Sequence, residues 1–495
     1  MKIIKGRKKI LELCVDLLYD ESSLSGAWCE AAAWPETPEE AAGYFESCRA
    51  DGLPVTISGG LTGIAGGALP QGGAVLSTSR MNGIEILDNG NVRAGAGVTL
   101  AELREFLSRA SSEHFYPPDP TEETATVGGT VSTDASGSDS FLYGSTRNWV
   151  ESLTILPPSG KLLKIRRNDY TFRDGTCRHP DLGELVLPAL RREQPPKNTA
   201  GYHIRPEMDL TDLFIGSEGT LGLVMEAELR LRRKPGVLAD LVLFPGDSGT
   251  FWELFHTFLE NRDRLGLRAL EMMDGKCIEF LGAESTPGLP SPPPGASAAL
   301  PARIEAENDR ELENALLLVD DLMTRFGIPP DMVWIGLEPA ERKKIKDFRH
   351  ALPEAVNRRI SMLRSEIPGI HKFGSDGAVP PVTLETYYET CRAILTDLDL
   401  EFLIFGHAGQ GHLHANVLPG NPEEMSRAGE AMREIAREAV KAGGTISAEH
   451  GLGRLKAGFM PIMYSREEIE GMEKLRRAID PDGFLAPALQ IGGAS

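Results

Sequence analysis

Nowhere in the 495 residues does an apolar run approach the roughly 18 residues that a membrane-crossing helix needs, so no transmembrane segment is expected. The first twenty residues are basic and then apolar, but Glu12 and Asp16 interrupt the apolar part and no small-residue cleavage site follows. That pattern predicts an amphipathic surface helix over residues 1–20, not a signal peptide. Cysteine is scarce and scattered: Cys14, Cys29, Cys48, Cys177, Cys277 and Cys391. None shows the close spacing of iron–sulfur or structural zinc sites, so reduced, buried thiols in a cytoplasmic protein are expected. Electrons leaving such a protein must go to a partner or a diffusible acceptor. Positive charge is also short, with 52 Lys and Arg against 72 Asp and Glu, a net charge of -20. This excludes nucleic acid and anionic membrane surfaces as general partners, and an anionic substrate would have to meet a local cluster of Arg or Lys. There is no Walker loop, no dinucleotide fingerprint of the strand–helix kind and no internal repeat.

What is present is too long for one hydrophobic core, and two or three domains are expected. From about residue 54 to 233 short β-like runs alternate with Gly, Pro and Ser. Residues 55–57, 74–77, 84–87, 92–94, 153–156, 162–165 and 223–231 read as strands, and 99–108 as a helix with Thr99 and Glu102 at capping-box spacing. After Pro235 the texture changes. Residues 238–244 and 402–405 read as strands, and 251–262, 309–325, 341–358, 384–395, 423–442 and 465–479 as helices. Residues 285–301 form a Pro/Ser/Gly-rich exposed loop. The expectation is an α+β protein with an N-terminal helical segment (1–34), a glycine-rich domain (35–235) and a helix-covered sheet domain (236–495).

The glycine-rich domain carries three ordered segments. Ser58-Gly59-Gly60-Leu61-Thr62-Gly63 follows a strand directly. Pro117-Pro118-Asp119-Pro120 precedes Ala125-Thr126-Val127-Gly128-Gly129 and Asp134-Ala135-Ser136-Gly137. Gly216-Ser217-Glu218-Gly219-Thr220-Leu221-Gly222 comes last. Glycine lets the backbone approach a ligand and lets N–H groups converge on an anion such as a pyrophosphate. In the other half, Gly406-His407-Ala408-Gly409-Gln410-Gly411-His412-Leu413-His414-Ala415-Asn416 places three of ten histidines within eight residues. Residues 412–418 read as a strand, whose alternation would put His412, His414 and Asn416 on one face. Ser447-Ala448-Glu449-His450-Gly451 adds a carboxylate and an imidazole. Two His and one Glu can hold a divalent metal with positions left for substrate, and imidazole suits general-base work near neutral pH.

Over about residues 35–490 the chain resembles the vanillyl-alcohol-oxidase superfamily, in its FAD-linked D-lactate, glycolate and D-2-hydroxyglutarate dehydrogenase branch. The resemblance implies a two-part PCMH-type FAD-binding domain followed by an α+β FAD-linked-oxidase C-terminal (cap) domain. It implies that Ser58, Gly59, Gly60, Leu61, Thr62 and Gly63 wrap the FAD pyrophosphate and that Ser79 also contacts the cofactor. Pro118, Asp119, Thr126, Gly128, Gly129 and Gly137 would then lie along the adenosine and pyrophosphate, with Glu218 and Gly222 near the adenine or on its supporting turn. Leu61 and Thr62 stand where some relatives tether the flavin through His or Cys, so FAD is expected to be non-covalent. His407, His414 and Glu449 match the ligands of a divalent metal such as Zn, Mn or Fe. His450 matches the base, and Asn416 a substrate-contacting residue. Arg349 and Lys372 lie in stretches that resemble the family's carboxylate-binding segments, and a guanidinium grips a carboxylate bidentately. Three departures stand out: Gln410 for a usual Asp, His412 for a usual Asn, and Ala486-Pro487-Ala488-Leu489 for a usual Asn-Pro-Gly-Lys.

The expected activity is oxidation of a small 2-hydroxy acid, D-lactate- or glycolate-like, to the 2-oxo acid. Electrons would pass to a quinone, an electron-transfer flavoprotein or a partner subunit, with any contact to the inner membrane made through that acceptor. Two other readings share the flavin domain: an alkyl-dihydroxyacetone-phosphate-synthase-like FAD transferase, and a non-catalytic electron-relay subunit. The Glu at position 449, where the synthases carry a His-rich run, favours the dehydrogenase.

Overall fold

Two compact units emerge from a chain that interleaves them, in a computed structural model that describes residues 1–111, 113–284 and 289–489. The first unit gathers Met1–Gly137, Gly144–Arg233 and Ser447–Ser495; the second gathers Ser138–Tyr143 and Lys234–Ile446. The compact units are therefore not consecutive blocks of sequence: the last segment returns to the first unit, and six residues from 138 to 143 join the second.

In the first unit, Lys2–Lys5, Ala31–Trp34, Ala74–Ser77 and Val55–Ser58 form a four-stranded sheet in that order. Its last three strands are mutually parallel and its edge strand antiparallel. The expected N-terminal helix is corrected here: Lys2–Lys5 is a strand, and helix occupies only Arg7–Leu13 and a 3-10 turn at Val15–Leu18. Pairing of Lys2–Lys5 with Ala31–Trp34 overrides the helical pattern, and Ile10, Leu17 and Leu18 are buried as an amphipathic segment requires. A five-stranded antiparallel sheet runs Ile84–Ile86, Val92–Gly95, Leu223–Leu229, Val150–Leu156, Leu163–Arg166. Tyr44, Phe45, Val55, Leu76, Leu156, Leu223 and Leu485 share one core cluster, so the returning C-terminal segment packs with both ends of this unit's chain. Leu485 pairs with Val55, and the Ala486 N–H donates to the Val55 carbonyl at 2.8 Å.

The second unit has a four-stranded antiparallel sheet, Leu267–Leu270, Leu300–Ala306, Val237–Leu243 and Val333–Gly336. A five-stranded sheet is built on Met272–Met273, Phe402–Gly406, His412–Val417 and Phe373–Gly374, with Gly377–Ala378 also pairing His412–Val417. Helices Ser248–Glu260, Asp309–Phe326, Pro339–Glu366, Leu384–Asp397 and Pro422–Lys441 accompany these sheets. Pro339–Glu366 outruns the expected helix at both ends and contains Pro353, which cannot donate to the Arg349 carbonyl one turn back. The expected loop over 285–301 ends early: Leu300 and Pro301 already belong to the strand Leu300–Ala306, and residues 285–288 lie outside the described residues. No helix among the described residues is long and apolar enough to cross a membrane. All six cysteines are buried and free.

Candidate functional site

In the first unit the strand Val55–Ser58 delivers the glycine loop onto the segment before the helix Val127–Thr133. A Cβ on Gly59 would meet the Thr126 hydroxyl at 2.9 Å, and one on Gly60 the Thr124 carbonyl at 2.9 Å. Only glycine lets the two chains approach so closely. Thr126 caps that helix, accepting from the Gly129 N–H at 3.2 Å, and the Gly128 N–H donates to Ala96 at 2.9 Å. The Thr78 N–H bonds the Ser58 carbonyl at 2.9 Å, and the exposed Ser79 follows it, its hydroxyl 3.1 Å from that of Ser77. Pro118 and Asp119 are gripped by Arg104, and Gly137 abuts the Asp119 carbonyl too closely for any side chain.

The cradle holds buried hydroxyls of the kind a cofactor satisfies. Ser58 is fully buried and its hydroxyl has no hydrogen-bond partner among the described residues; the Thr56 hydroxyl, two residues back on the same strand, is in the same state. A buried unpaired hydroxyl costs about 1–3 kcal/mol, which a bound polar group would recover. These residues fit FAD, and positions 61 and 62 hold Leu and Thr in place of a His or Cys. Glu218 sits on a turn with φ of 52° and accepts from the backbone N–H groups of Leu452 (2.9 Å) and Gly453 (2.8 Å). Burial raises its carboxyl above the usual range, against the pull of those two donors. Its partners are thus the returning C-terminal segment. Gly222 lies against Ile155, where a Cβ would come within 2.6 Å of the side chain. Glu449 and His450 also belong to this unit. The Glu449 carboxylate accepts from Lys197 at 2.6 Å and from the Ser136 hydroxyl at 2.9 Å.

In the second unit the hairpin Phe402–Gly406 and His412–Val417 carries the histidines. Gly411 makes its turn, with φ of 69° and no room for a Cβ beside the Val379 carbonyl. Met272 stands opposite Gly406 in an antiparallel register, so Glu271 falls beside His407. The His407 Nδ1 lies 2.7 Å from Glu271 Oε1, and Arg349 donates to the same carboxylate from Nε (2.5 Å) and Nη2 (3.2 Å). The Ser138 hydroxyl donates there too. Arg349 and His407 hold the Glu271 carboxyl well below the usual carboxylate range, despite its burial. His412 is fully buried with Nε2 3.0 Å from Asp376 Oδ1. Its ring centroid lies 4.3 Å from that of His414, and the His414 Nδ1 is 3.4 Å from the Ser375 carbonyl. His407, His412 and His414 each offer a nitrogen within 4.8 Å of the others. Asn416 is buried further along the strand, opposite Gly374 and Leu403. Lys372 is turned to Asn357 Oδ1 at 2.7 Å.

Of the residues singled out from sequence, His407, His412, His414 and Asn416 lie on one hairpin of the second unit, and Arg349 meets His407 through Glu271. Glu271 was missed. Its signal was present: a lone carboxylate in the apolar run Ala269-Leu270-Glu271-Met272-Met273 must be paired if buried. Asp376 carries no such local signal, and its contact with His412 depends on the strand His412–Val417 pairing with Gly377–Ala378.

Comparison with known proteins agrees with both halves. Residues 29–166 match the FAD binding domain family, and residues 247–489 match the FAD linked oxidases, C-terminal domain family. The chain is 28% identical to D-lactate dehydrogenase of Anaerostipes hadrus, over 96% of this chain and 92% of that one. It is 27% identical to glycolate oxidase subunit GlcD of Bacillus subtilis, over 95% of this chain and 90% of that one. In fold it is similar to an alkyldihydroxyacetonephosphate synthase, with a TM-score of 0.63 at 15% identity, covering 93% of this chain and 77% of that one. The chain thus carries an FAD binding domain followed by an FAD-linked-oxidase C-terminal domain, and it is similar along nearly its whole length to FAD-linked dehydrogenases and oxidases of hydroxy acids.

Proposed function

We propose that this protein oxidises a small 2-hydroxy acid, D-lactate- or glycolate-like, to the 2-oxo acid and passes the electrons to an acceptor other than NAD. One observation carries the reading: Arg349 and His407 share the single buried carboxylate of Glu271. A cation able to grip a carboxylate thereby stands beside a cluster of imidazoles able to receive a hydroxyl, and a 2-hydroxy acid bears those two groups on adjacent carbons. The names of the relatives, D-lactate dehydrogenase and glycolate oxidase subunit, support the same substrate class.

FAD, when bound, supplies the two-electron acceptor for the hydrogen on the substrate α-carbon. Arg349 binds the substrate carboxylate, its guanidinium held in place by Glu271, and Lys372 adds a second positive charge. His450 takes the hydroxyl proton, and Asn416 orients the substrate by hydrogen bonding. A divalent metal would be held by His407, His414 and Glu449, where it would polarise the substrate hydroxyl and favour its deprotonation. The donor set of imidazole nitrogens fits such an ion. The acceptor is a quinone, an electron-transfer flavoprotein or a partner subunit.

The test is anaerobic mixing of the purified flavoprotein with a panel of D- and L-2-hydroxy acids. Bleaching of the flavin by one of them is expected. Bound flavin that no hydroxy acid reduces would overturn the reading.

A further inference from the structure

We propose that His412 is itself a metal ligand, so that the second unit presents three imidazoles, His407, His412 and His414, to one ion. The preferred guest is then a borderline-soft divalent ion of the zinc type over manganese. The inference rests on the proposed function only in taking this cluster as the metal-holding part of the site.

The argument is one of orientation. A metal-binding histidine typically donates its second ring nitrogen to a carboxylate or carbonyl, which fixes the tautomer and aims the other nitrogen at the ion. His407 and His414 each have a hydrogen-bonding partner of this kind, and His412 has a carboxylate at ion-pair distance. His407 turns Nδ1 to Glu271 at 2.7 Å, which leaves Nε2 to face the cluster. The His412 Nε2 stands 3.0 Å from the Asp376 carboxylate, with Nδ1 on another edge of the ring. His414 turns Nδ1 toward the Ser375 carbonyl at 3.4 Å, which leaves Nε2. The ring centroids lie 4.3 Å (His412–His414), 5.7 Å (His407–His412) and 5.9 Å (His407–His414) apart, and one nitrogen from each ring lies within 4.8 Å of the others. Nitrogens bound to one zinc at about 2.1 Å are roughly 3.4 Å apart in a tetrahedral shell, so small ring rotations close the set.

Burial argues the same way. His412, Asp376, Glu271 and His407 are all nearly or fully buried. Two carboxylates in such a place need cationic or hydrogen-bonding partners. Arg349 serves Glu271, whereas His412 is the ring placed against Asp376. An ion held by that ring would make its other N–H a stronger donor and so a better partner for the Asp376 carboxylate. Three nitrogens favour zinc-type ions, whereas manganese prefers oxygen donors.

The experiment uses the full-length flavoprotein, stripped with a chelator and reloaded with Zn(II) or Mn(II). Metal content is measured after dialysis at graded chelator strength, and X-ray absorption is recorded on the zinc form. Wild type should keep one zinc with scattering from three imidazoles. His412→Asn should lower zinc affinity at least tenfold and narrow the preference for zinc over manganese, and Asp376→Asn should lower zinc affinity about 10- to 100-fold. Zinc affinity unchanged in His412→Asn, absorption showing two imidazoles, or a wild type that retains no zinc would each overturn the assignment. Should His412→Asn fail to hold flavin, the wild-type absorption spectrum and Asp376→Asn decide. None of these readouts needs turnover, so a protein that binds zinc through three histidines but bleaches with no hydroxy acid would sink the proposed reaction and leave this assignment standing.

Discussion

Glu271 connects more of the second unit's chemistry than any residue picked out from sequence. It accepts from Arg349, His407 and the Ser138 hydroxyl, and it is 5% exposed. A buried charge pair adds little net stability when intact, but breaking one by removing a partner costs about 3–5 kcal/mol, because a charge is left in a low-dielectric surrounding. Arg349→Met should therefore destabilise the second unit by about that amount, read as a fall in the denaturation midpoint. Arg349→Lys keeps the charge but loses the planar fork, so stability should fall much less. Under the proposed function its KM for the hydroxy acid should rise at least about tenfold with flavin content unchanged. An unaltered KM in Arg349→Lys would remove Arg349 from substrate binding. The sequence pointed to Arg349 through its surrounding stretch, and what it hid was the partner. Pairing needs the Met272–Met273 strand to lie against Phe402–Gly406, about 130 residues later, and no local pattern encodes that register.

Among the elements, those with strong local signals were legible. The helix Leu100–Ala110 begins with Thr99 and Glu102 in a capping box, and the strand His412–Val417 ends within one residue of the 412–418 read from its residues. The N-terminal strand Lys2–Lys5 was not legible, because four residues of edge strand are decided by the neighbour they pair with. The turn around Glu218 is an element of a different kind. Its carboxylate takes two backbone N–H groups from Leu452 and Gly453 and so clips the returning C-terminal segment to the glycine-rich unit. Glu218→Ala leaves two donors unsatisfied and should cost about 2–4 kcal/mol. We expect faster limited proteolysis within residues 447–489 and weaker flavin retention. Equal protease resistance in wild type and variant would show that the clip is dispensable.

At the scale of the whole molecule, each unit carries a titratable group, and the two answer acid in opposite ways. In the second unit, burial pushes the Asp274 carboxyl up to about 6, although it accepts from the N–H groups of Cys277 and Ile404. Its folded pKa exceeds the unfolded value, so the fold binds the extra proton. The contribution is fully present below about pH 4 and is lost as pH rises through about 6, a swing of about 3 kcal/mol at 1.36 kcal/mol per unit. In the first unit, burial and then Arg147 push His203 down to about 3. Its folded pKa lies below the unfolded one, so its contribution is present above about pH 6.5 and is lost as pH falls toward 3. Stability measured between pH 4 and 7 for wild type minus Asp274→Asn should therefore fall with pH, and for wild type minus His203→Gln should rise with it. Parallel curves for either variant would refute the corresponding assignment.

The sequence by itself determined what is local or compositional. The glycine loops, the histidine-bearing hairpin, the helix caps and the low positive charge are visible in it because each depends on near neighbours or on sums over the chain. The ordered glycine segments carried the family resemblance for the same reason. Only the tertiary structure decided the rest: that Ser447–Ser495 returns to the first unit, that Ser138–Tyr143 joins the second, and that Glu271 and Asp376 stand behind His407 and His412. These depend on contacts between segments tens to hundreds of residues apart. Such contacts are selected by the burial of complementary surfaces in the folded state, and hydrophobic periodicity marks which face is buried but not what it is buried against.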